Sequence, residues 1–268
     1  EQYFILERSA ELRERQQQTI HQQCPHLAER ISWLDDFPEN FNGIVVANEL
    51  LDALPVHRVT KQHGQWQELG VQWNDKFDWT YREISQPRLQ QRLQDIEAEQ
   101  GELADGYTTE INLAADDWIH SIASRIGSGF LLLIDYGYSQ HEYYHSQRKQ
   151  GTLMCHYRHR SHDDPFVYPG LQDITAHVDF TAVADAALDS CLKVRGYTTQ
   201  ALFLLATGLN ELAESMTSDD AGQQLRLATE IRRLTLPQEM GESFKVLLLS
   251  KNTDDILPGF SVDMRDRL

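Results

Sequence analysis

A chain of 268 residues, 41% hydrophobic and 24% charged, has globular composition and length enough for one large domain with insertions. Its 24 basic and 41 acidic residues leave a formal net charge of -17, a field that opposes nucleic-acid binding and attracts cationic protein segments. Cys24, Cys155 and Cys191 are far apart and form no CxxC, which fits a reducing compartment, and the longest apolar runs, 130–134 and 201–206, are too short to insert into a bilayer.

The chain opens on Glu1-Gln2 without a Met and enters an apolar run at once, which predicts a missing upstream segment. Tyr3-Phe4-Ile5-Leu6 reads as a buried strand ending at Glu7. Ser9 is placed to cap a helix whose register is set by Ala10, Leu12 and Ile20. Residues 31–34 and 43–47 form the next two strands, and the second runs into Asn48-Glu49 and a short helix through Leu50, Leu51 and Leu54 before Pro55. A fourth strand covers 130–134 and ends at Asp135, with Gly127-Ser128-Gly129 as a plain turn ahead of it. These runs lack polar alternation, as strands covered on both faces do.

Ile111, Ala115, Ile119, Ile122 and Ile126 mark one helical face. Leu202, Leu205, Leu209, Leu212 and Met216 mark another, capped by Thr198 or Thr199, and 244–249 is a last strand. Alternating strands and helices predict an α/β, doubly wound, mostly parallel sheet in a single incomplete domain over 1–268. Two stretches break the rhythm. Residues 57–106 carry a Trp-bearing hairpin and a Gln-rich helix (Leu89, Leu93, Ile96), and 208–241 read as a helical pair hinged at Ser218-Asp219-Asp220. Both are insertions on one core in this reading.

Ligands of open α/β sheets sit beyond the carboxyl ends of the strands. That singles out Glu7, Asp35 and Asp36, Asn48 and Glu49, and Asp135. A carboxylate there can accept from both hydroxyls of a ribose. Glu7 is placed for this, with a helix-capping or surface acid as the alternative. No glycine-rich turn precedes Glu7 and no G-x-G-x-x-G or Walker pattern occurs elsewhere, so a nucleotide site requires a first strand and glycine loop upstream of residue 1.

Residues 155–164 gather Cys155, His156, His159, His162, Asp163 and Asp164, but Arg158 and Arg160 oppose a dication and the nearby prolines point to a polar loop, so no metal is assigned. His177 and Asp179 can be a base and its orienting acid, or Asp179 can cap the helix carrying Val183, Ala187 and Leu188. No G-x-S-x-G elbow and no H-E-x-x-H occur.

Several blocks carry a family resemblance: Y-F-I-L-E-R-S-A-E-L (3–12), N-E-L-L-D-A-L-P-V-H-R (48–58), L-L-L-I-D-Y-G-Y (131–138), G-T-L-M-C-H-Y-R-H-R (151–160), D-P-F-V-Y-P-G-L-Q-D-I-T-A-H-V-D-F (164–180), T-T-Q-A-L-F-L (198–204) and M-G-E-S-F-K-V-L (240–247). In this order they resemble the MidA-type family of S-adenosyl-L-methionine (SAM)-dependent methyltransferases over nearly the whole chain. N-E-L-L-D-A-L-P and D-I-T-A-H-V-D-F are the most specific.

The resemblance implies a class I methyltransferase, Rossmann-like fold, N-terminally truncated here, with SAM as cofactor and its glycine loop upstream of residue 1. Weak or absent SAM binding by this chain is the corresponding expectation. Mitochondrial members of the family support respiratory complex I assembly by symmetric dimethylation of an arginine on one of its subunits. The expected partner is therefore a protein with an exposed arginine, in the bacterial cytoplasm or the mitochondrial matrix.

A guanidinium stays protonated at physiological pH and is best held by carboxylates. Glu49 is the first candidate, with Asp52, Asp135 and Asp179 as second carboxylates and His177 as a base. Glu7, Asp35 and Asn48 fall to the cofactor side. A non-catalytic assembly factor that keeps the fold, and a nicotinamide dehydrogenase on the same sheet, are the competing readings. Retention of Glu7, Glu49 and Asp135 favours the enzyme over the first, and the family blocks disfavour the second.

Overall fold

The computed structural model describes residues 2–84, 86–158, 160–217 and 220–268. In chain order the elements are β1 (Tyr3–Leu6), α1 (Ala10–Gln23), β2 (Ile31–Leu34), β3 (Phe41–Asn48), β4 (His57–Gln62), β5 (Gln65–Trp73), β6 (Phe77–Glu83), α2 (Pro87–Gln100), β7 (Thr108–Ile111), α3 (Leu113–Arg125), β8 (Ile126–Tyr138), α4 (Gln140–Tyr143), β9 (Met154–Tyr157), β10 (Arg160–His162), β11 (Asp173–Thr175), β12 (Val178–Asp179), α5 (Phe180–Asp189), β13 (Lys193–Thr199), α6 (Gln200–Ala206), α7 (Leu209–Ser215), α8 (Ala221–Thr235) and β14 (Phe244–Lys251).

The long strand β8 organises the central sheet. One of its edges pairs in parallel with β3, from Phe41↔Ile126 to Asn48↔Ile134, and then with β12 at Val178↔Gly137 and Asp179↔Tyr138. The other edge pairs antiparallel with β14, which in turn pairs antiparallel with β13. The sheet is thus mixed, with β3, β8, β12 and β13 pointing one way and β14 the other. Leu131, Leu247 and Leu249 are wholly buried and pack with Ile119, Val183 and Ala187 of α3 and α5. Truncating any one of these leucines to Ala should cost about 2–5 kcal/mol.

Glycine sets how closely β8 is approached. The Gly127-Ser128-Gly129 segment is part of β8 and not a turn. A Cβ on Gly129, whose φ is 140°, would collide with the Gly43 carbonyl oxygen of β3, and one on Gly137 with the Val178 carbonyl of β12. β8 also runs past Ile134, because β12 and β14 continue the ladder; Asp135 therefore lies inside the strand rather than ending it.

β1 and β2 form their own two-stranded parallel sheet, Tyr3↔Ile31 through Leu6↔Leu34. Among the described residues no pairing joins it to β3, and Tyr3, Leu6, Ile44 and Val46 are exposed. Ser9 caps α1 by accepting from the Leu12 amide, yet no residue of α1 is buried. The helix expected over 202–216 is broken at Gly208 (φ 97°), and Leu205, Leu212 and Met216 face solvent. Of the expected hinge, Ser218 and Asp219 lie outside the described residues, while Asp220 caps α8.

Residues 57–111 form an antiparallel sheet, β6-β5-β4-β7, with α2 against it. Val59, Leu89, Leu93, Ile96, Tyr107 and Ile111 build a second core there, which also takes in Tyr143 and Tyr144. No described helix is long and apolar enough to cross a membrane.

Candidate active site

The site grows from the turn after β3. The Glu49 amide donates to the Ile134 carbonyl at 2.9 Å and closes the ladder. Glu49 itself adopts φ 48°, and no helix forms over 50–54. Instead the amides of Leu50, Leu51 and Asp52 converge on Asp135 Oδ2 at 3.2, 3.0 and 3.3 Å. Successive N–H groups without a ladder partner need an acceptor, and a buried carboxylate supplies it. The other oxygen, Oδ1, accepts from the Tyr136 amide at 2.9 Å. Burial, and then the neighbouring Asp52, push the Asp135 carboxyl up to about 7. Backbone amides thus engage both oxygens of Asp135, which holds the turn that presents Glu49.

Asp52 is buried, and one oxygen, Oδ1, has no partner among the described residues. Burial raises its carboxyl, the facing Tyr136 hydroxyl works against that, and the Glu49 charge adds to it. Glu49 and Asp52 are therefore electrostatic neighbours, one exposed and one buried. The Asp52 carbonyl also accepts from the Ala176 amide at 3.0 Å, which brings the 173–179 segment alongside.

There the His177 ring stacks on Tyr138 (centroids 5.2 Å apart, planes at 2°) and meets Tyr136 edge-on at 5.1 Å. Its amide donates to Thr152 Oγ1 at 3.1 Å. Thr152 is in turn fixed by Glu110, whose Oε2 accepts from the Thr152 amide at 2.7 Å and from its hydroxyl at 3.1 Å. Burial, then the Arg148 charge, pull the His177 imidazole down to about 4. Such a ring is neutral at pH 7, and it packs against Tyr138 and Tyr136. Asp179 makes no pair with it. Its Oδ1 accepts from the Thr181 and Ala182 amides at 3.1 and 3.2 Å as the N-cap of α5, and burial raises it to about 6.

On the expected cofactor side, parallel pairing puts Glu7 and Asp35 just past the same ends of β1 and β2. Glu7 Oε1 accepts from the Ser9 amide at 2.8 Å and Oε2 from Gln16 at 3.2 Å. Asp35 pairs with Arg13 at 2.6 Å, and Asp36 pairs with Arg125 at the same distance. Asn48 reaches Glu49 Oε1 with its amide at 3.3 Å. Each sheet thus brings its own pair together, Glu7 with Asp35 and Asn48 with Glu49.

Residues 154–157, 160–162 and 173–175 form a three-stranded antiparallel sheet, β10-β9-β11, with 163–172 as a loop between its strands. His159 lies outside the described residues, and among those described no group of three His, Cys, Asp or Glu is disposed to hold a metal. Sequence reasoning missed Tyr136, Tyr138, Thr152 and Glu110. The alternation Asp135-Tyr136-Gly137-Tyr138 was the available signal that β8 continues; nothing local marks Glu110, whose partner is 42 residues away.

With this geometry in hand, the relatives are informative. Residues 1–198 match the family described as "Putative S-adenosyl-L-methionine-dependent methyltransferase". The mitochondrial protein arginine methyltransferase NDUFAF7 of Danio rerio is 28% identical over 219 residues, covering 79% of this chain and 48% of that protein. Its Drosophila melanogaster homolog is 31% identical over 226 residues, 81% of this chain and 48% of its own length. The chain spans about half the length of these curated relatives. A crystal structure from Burkholderia thailandensis with S-adenosyl-homocysteine bound superposes with TM-score 0.93 at 44% identity, over 100% of this chain and 68% of that one. The chain belongs to this family of S-adenosyl-L-methionine-dependent methyltransferases.

Proposed function

We propose that the chain forms the larger part of a SAM-dependent methyltransferase that modifies an arginine of a protein substrate, with Glu49 receiving the guanidinium. The observation that carries this is an exposed carboxylate at the carboxyl end of β3, in a left-handed conformation, on a turn anchored by buried Asp135. The animal relatives, which are mitochondrial protein arginine methyltransferases, support the arginine, and their mitochondrial location together with the bacterial neighbour supports a matrix or cytoplasmic setting.

The donor set suits the cofactor. Each Glu7 oxygen has one hydrogen bond and keeps a lone-pair direction for a ribose hydroxyl. Asp35 lies just past the same end of the β1-β2 pair as Glu7, and Asn48 ends β3 in the central sheet. When bound, SAM supplies a sulfonium methyl group that is displaced in line.

Glu49 would hold the guanidinium and leave one of its nitrogens unengaged, oriented to accept the methyl group. The methylated nitrogen sheds one proton, which passes to the Glu49 carboxylate and, because that side chain is exposed, on to solvent.

Glu49→Gln tests this in the full-length protein. Loss of a charge-assisted pair should lower turnover on an arginine-bearing protein by roughly 30- to 1000-fold, about 2–4 kcal/mol, with SAM affinity and stability nearly unchanged. Unchanged turnover would remove Glu49 from the chemistry. A wild-type protein that binds its partner but methylates nothing would favour a pure assembly role.

A further inference from the structure

Two lysines are buried, and they differ in their partners. Lys61 lies between Glu97 and Glu102 at 2.7 and 3.2 Å. Lys245, in β14, is in register with Asp135 of β8, yet no carboxylate is within ion-pair distance among the described residues. Its one hydrogen bond goes to the Glu242 carbonyl, so two of its three N–H donors are uncommitted. The ammonium lies 5.7 Å from the Tyr138 ring centroid.

Lys245 opens on a cavity of about 670 Å³, whose wall also includes Tyr138, Tyr197, Met264 and Arg267. Arg267 is exposed, likewise has no ion pair among the described residues, and repels Lys245 across this space. The buried Tyr197 hydroxyl lacks a partner as well. Glu142 and Glu242 line the same cavity and their charges favour the ammonium, but neither carboxylate bonds it. Burial pulls the Lys245 ammonium below its usual range. A buried ammonium whose one hydrogen bond goes to a carbonyl is costly to keep, and together with the exposed Arg267 on the same cavity, unpaired among the described residues, it suits a carboxylate.

We propose that this cavity binds a carboxylate, bridged between the Lys245 ammonium and the Arg267 guanidinium. Glu142 and Glu242 on the wall disfavour a dianion, which selects a monocarboxylate over phosphate. The carboxylate belongs to a small free acid or to the end of a peptide chain; both present the same two oxygens. The inference stands apart from the methyl-transfer reading and needs no cofactor.

Calorimetry on the whole chain tests it at constant ionic strength with acetate, inorganic phosphate, an acetylated pentaglycine acid and the corresponding amide. Saturable binding of acetate identifies a free acid as the natural source; binding of the peptide acid but neither its amide nor acetate identifies a chain end. Lys245→Met and Arg267→Gln should each weaken the carboxylate by about tenfold or more. Lys245→Met should melt no lower than the parent, because it removes a poorly partnered buried charge. If that variant fails to fold, the exposed Arg267→Gln carries the test. Binding no better than chloride, phosphate bound more tightly than acetate, or equal binding by wild type and Arg267→Gln would overturn the proposal.

Discussion

Buried charge is treated in opposite ways at the two ends of this molecule. On the side of the antiparallel sheet and α2, the buried charges of Lys61, Asp116 and Glu110 each have an oppositely charged neighbour, although Arg58 Nε and Glu110 Oε1 make no hydrogen bond among the described residues. Lys61 has two carboxylates, Asp116 has Arg88 and Arg92 at 3.1 and 2.7 Å, and Glu110 has Thr152 with Arg58 3.4 Å away. At the carboxyl end of the central sheet, Asp52 Oδ1 and His177 Nδ1 have no partner among the described residues, and Lys245 has only a carbonyl. A matched buried charge is costly to break but does nothing further. An under-partnered one penalises folding and persists where it serves a ligand or a reaction. The first region pairs its buried charges internally, and the second leaves buried polar atoms without partners among the described residues.

The largest effect belongs to the first region. Glu110→Ala leaves Arg58 without its carboxylate and the buried Thr152 amide without an acceptor. Urea unfolding should show a loss of about 3–5 kcal/mol. The same change frees Thr152, which accepts from the His177 amide, so the damage should reach the 176–179 segment and shift the His177 ring resonances in NMR. A loss under about 1 kcal/mol would break the comparison, because a matched buried carboxylate would then be dispensable.

Asp135 sharpens it with an intermediate effect. Its folded-state carboxyl sits at about 7, above the unfolded reference of about 3.9. The folded chain therefore holds a proton that the unfolded chain has lost. Stability falls as pH rises through this window, by up to about 1.4 kcal/mol per unit, and levels off above about 7. Asp135→Asn keeps an oxygen for the three converging amides and removes the titration. The variant should gain on wild type as pH rises from about 5 to about 8. Parallel stability–pH curves for the two proteins would mean that Asp135 is charged throughout, and that its amide cradle outweighs its burial.

Periodicity was a good guide where burial is uniform. The run at 244–249 is buried throughout, and 130–134 packs on α3 and α5, whereas in 44–47 only Val45 and Ala47 reach the core while Ile44 and Val46 stay exposed. It misled where tertiary contacts decide. Ile111 and Ile126 fit a helical face but lie in β7 and β8, since Asn112 caps α3 between them and pairing with β3 captures Ile126. The apolar stripe 202–216 predicted one helix, but Gly208 interrupts it. In the site, strand-end position located Glu49, Asp135 and Glu7, but their roles depend on who donates to each oxygen. Asp135 and Asp179 look alike in sequence to any free acid, and both are occupied by backbone amides. Contacts between residues far apart in the chain, such as Glu110 with Thr152, leave no local pattern to read.

The smallest effect concerns the backbone at Glu49. Among the non-glycine residues at positive φ, Asn40, His63, Asp75 and Asn252 are of types that tolerate the left-handed region through short polar side chains. Glu49, at φ 48°, is not. A left-handed residue with a Cβ costs about 1–2 kcal/mol, while a glycine there loses about 0.4–1 kcal/mol through its freer unfolded chain. Glu49→Gly should therefore raise stability by about 0.5 kcal/mol while removing the carboxylate of the proposed guanidinium contact. Asp75→Gly, in the β5–β6 turn, is the control: its φ is 56°, so any gain there should come without loss of turnover. If Glu49→Gly instead lowered stability by more than about 1 kcal/mol, the Glu49 side chain would be holding the turn. The strain would then belong to the scaffold, and the division between matched and under-partnered regions would fail at the residue on which the proposed chemistry depends.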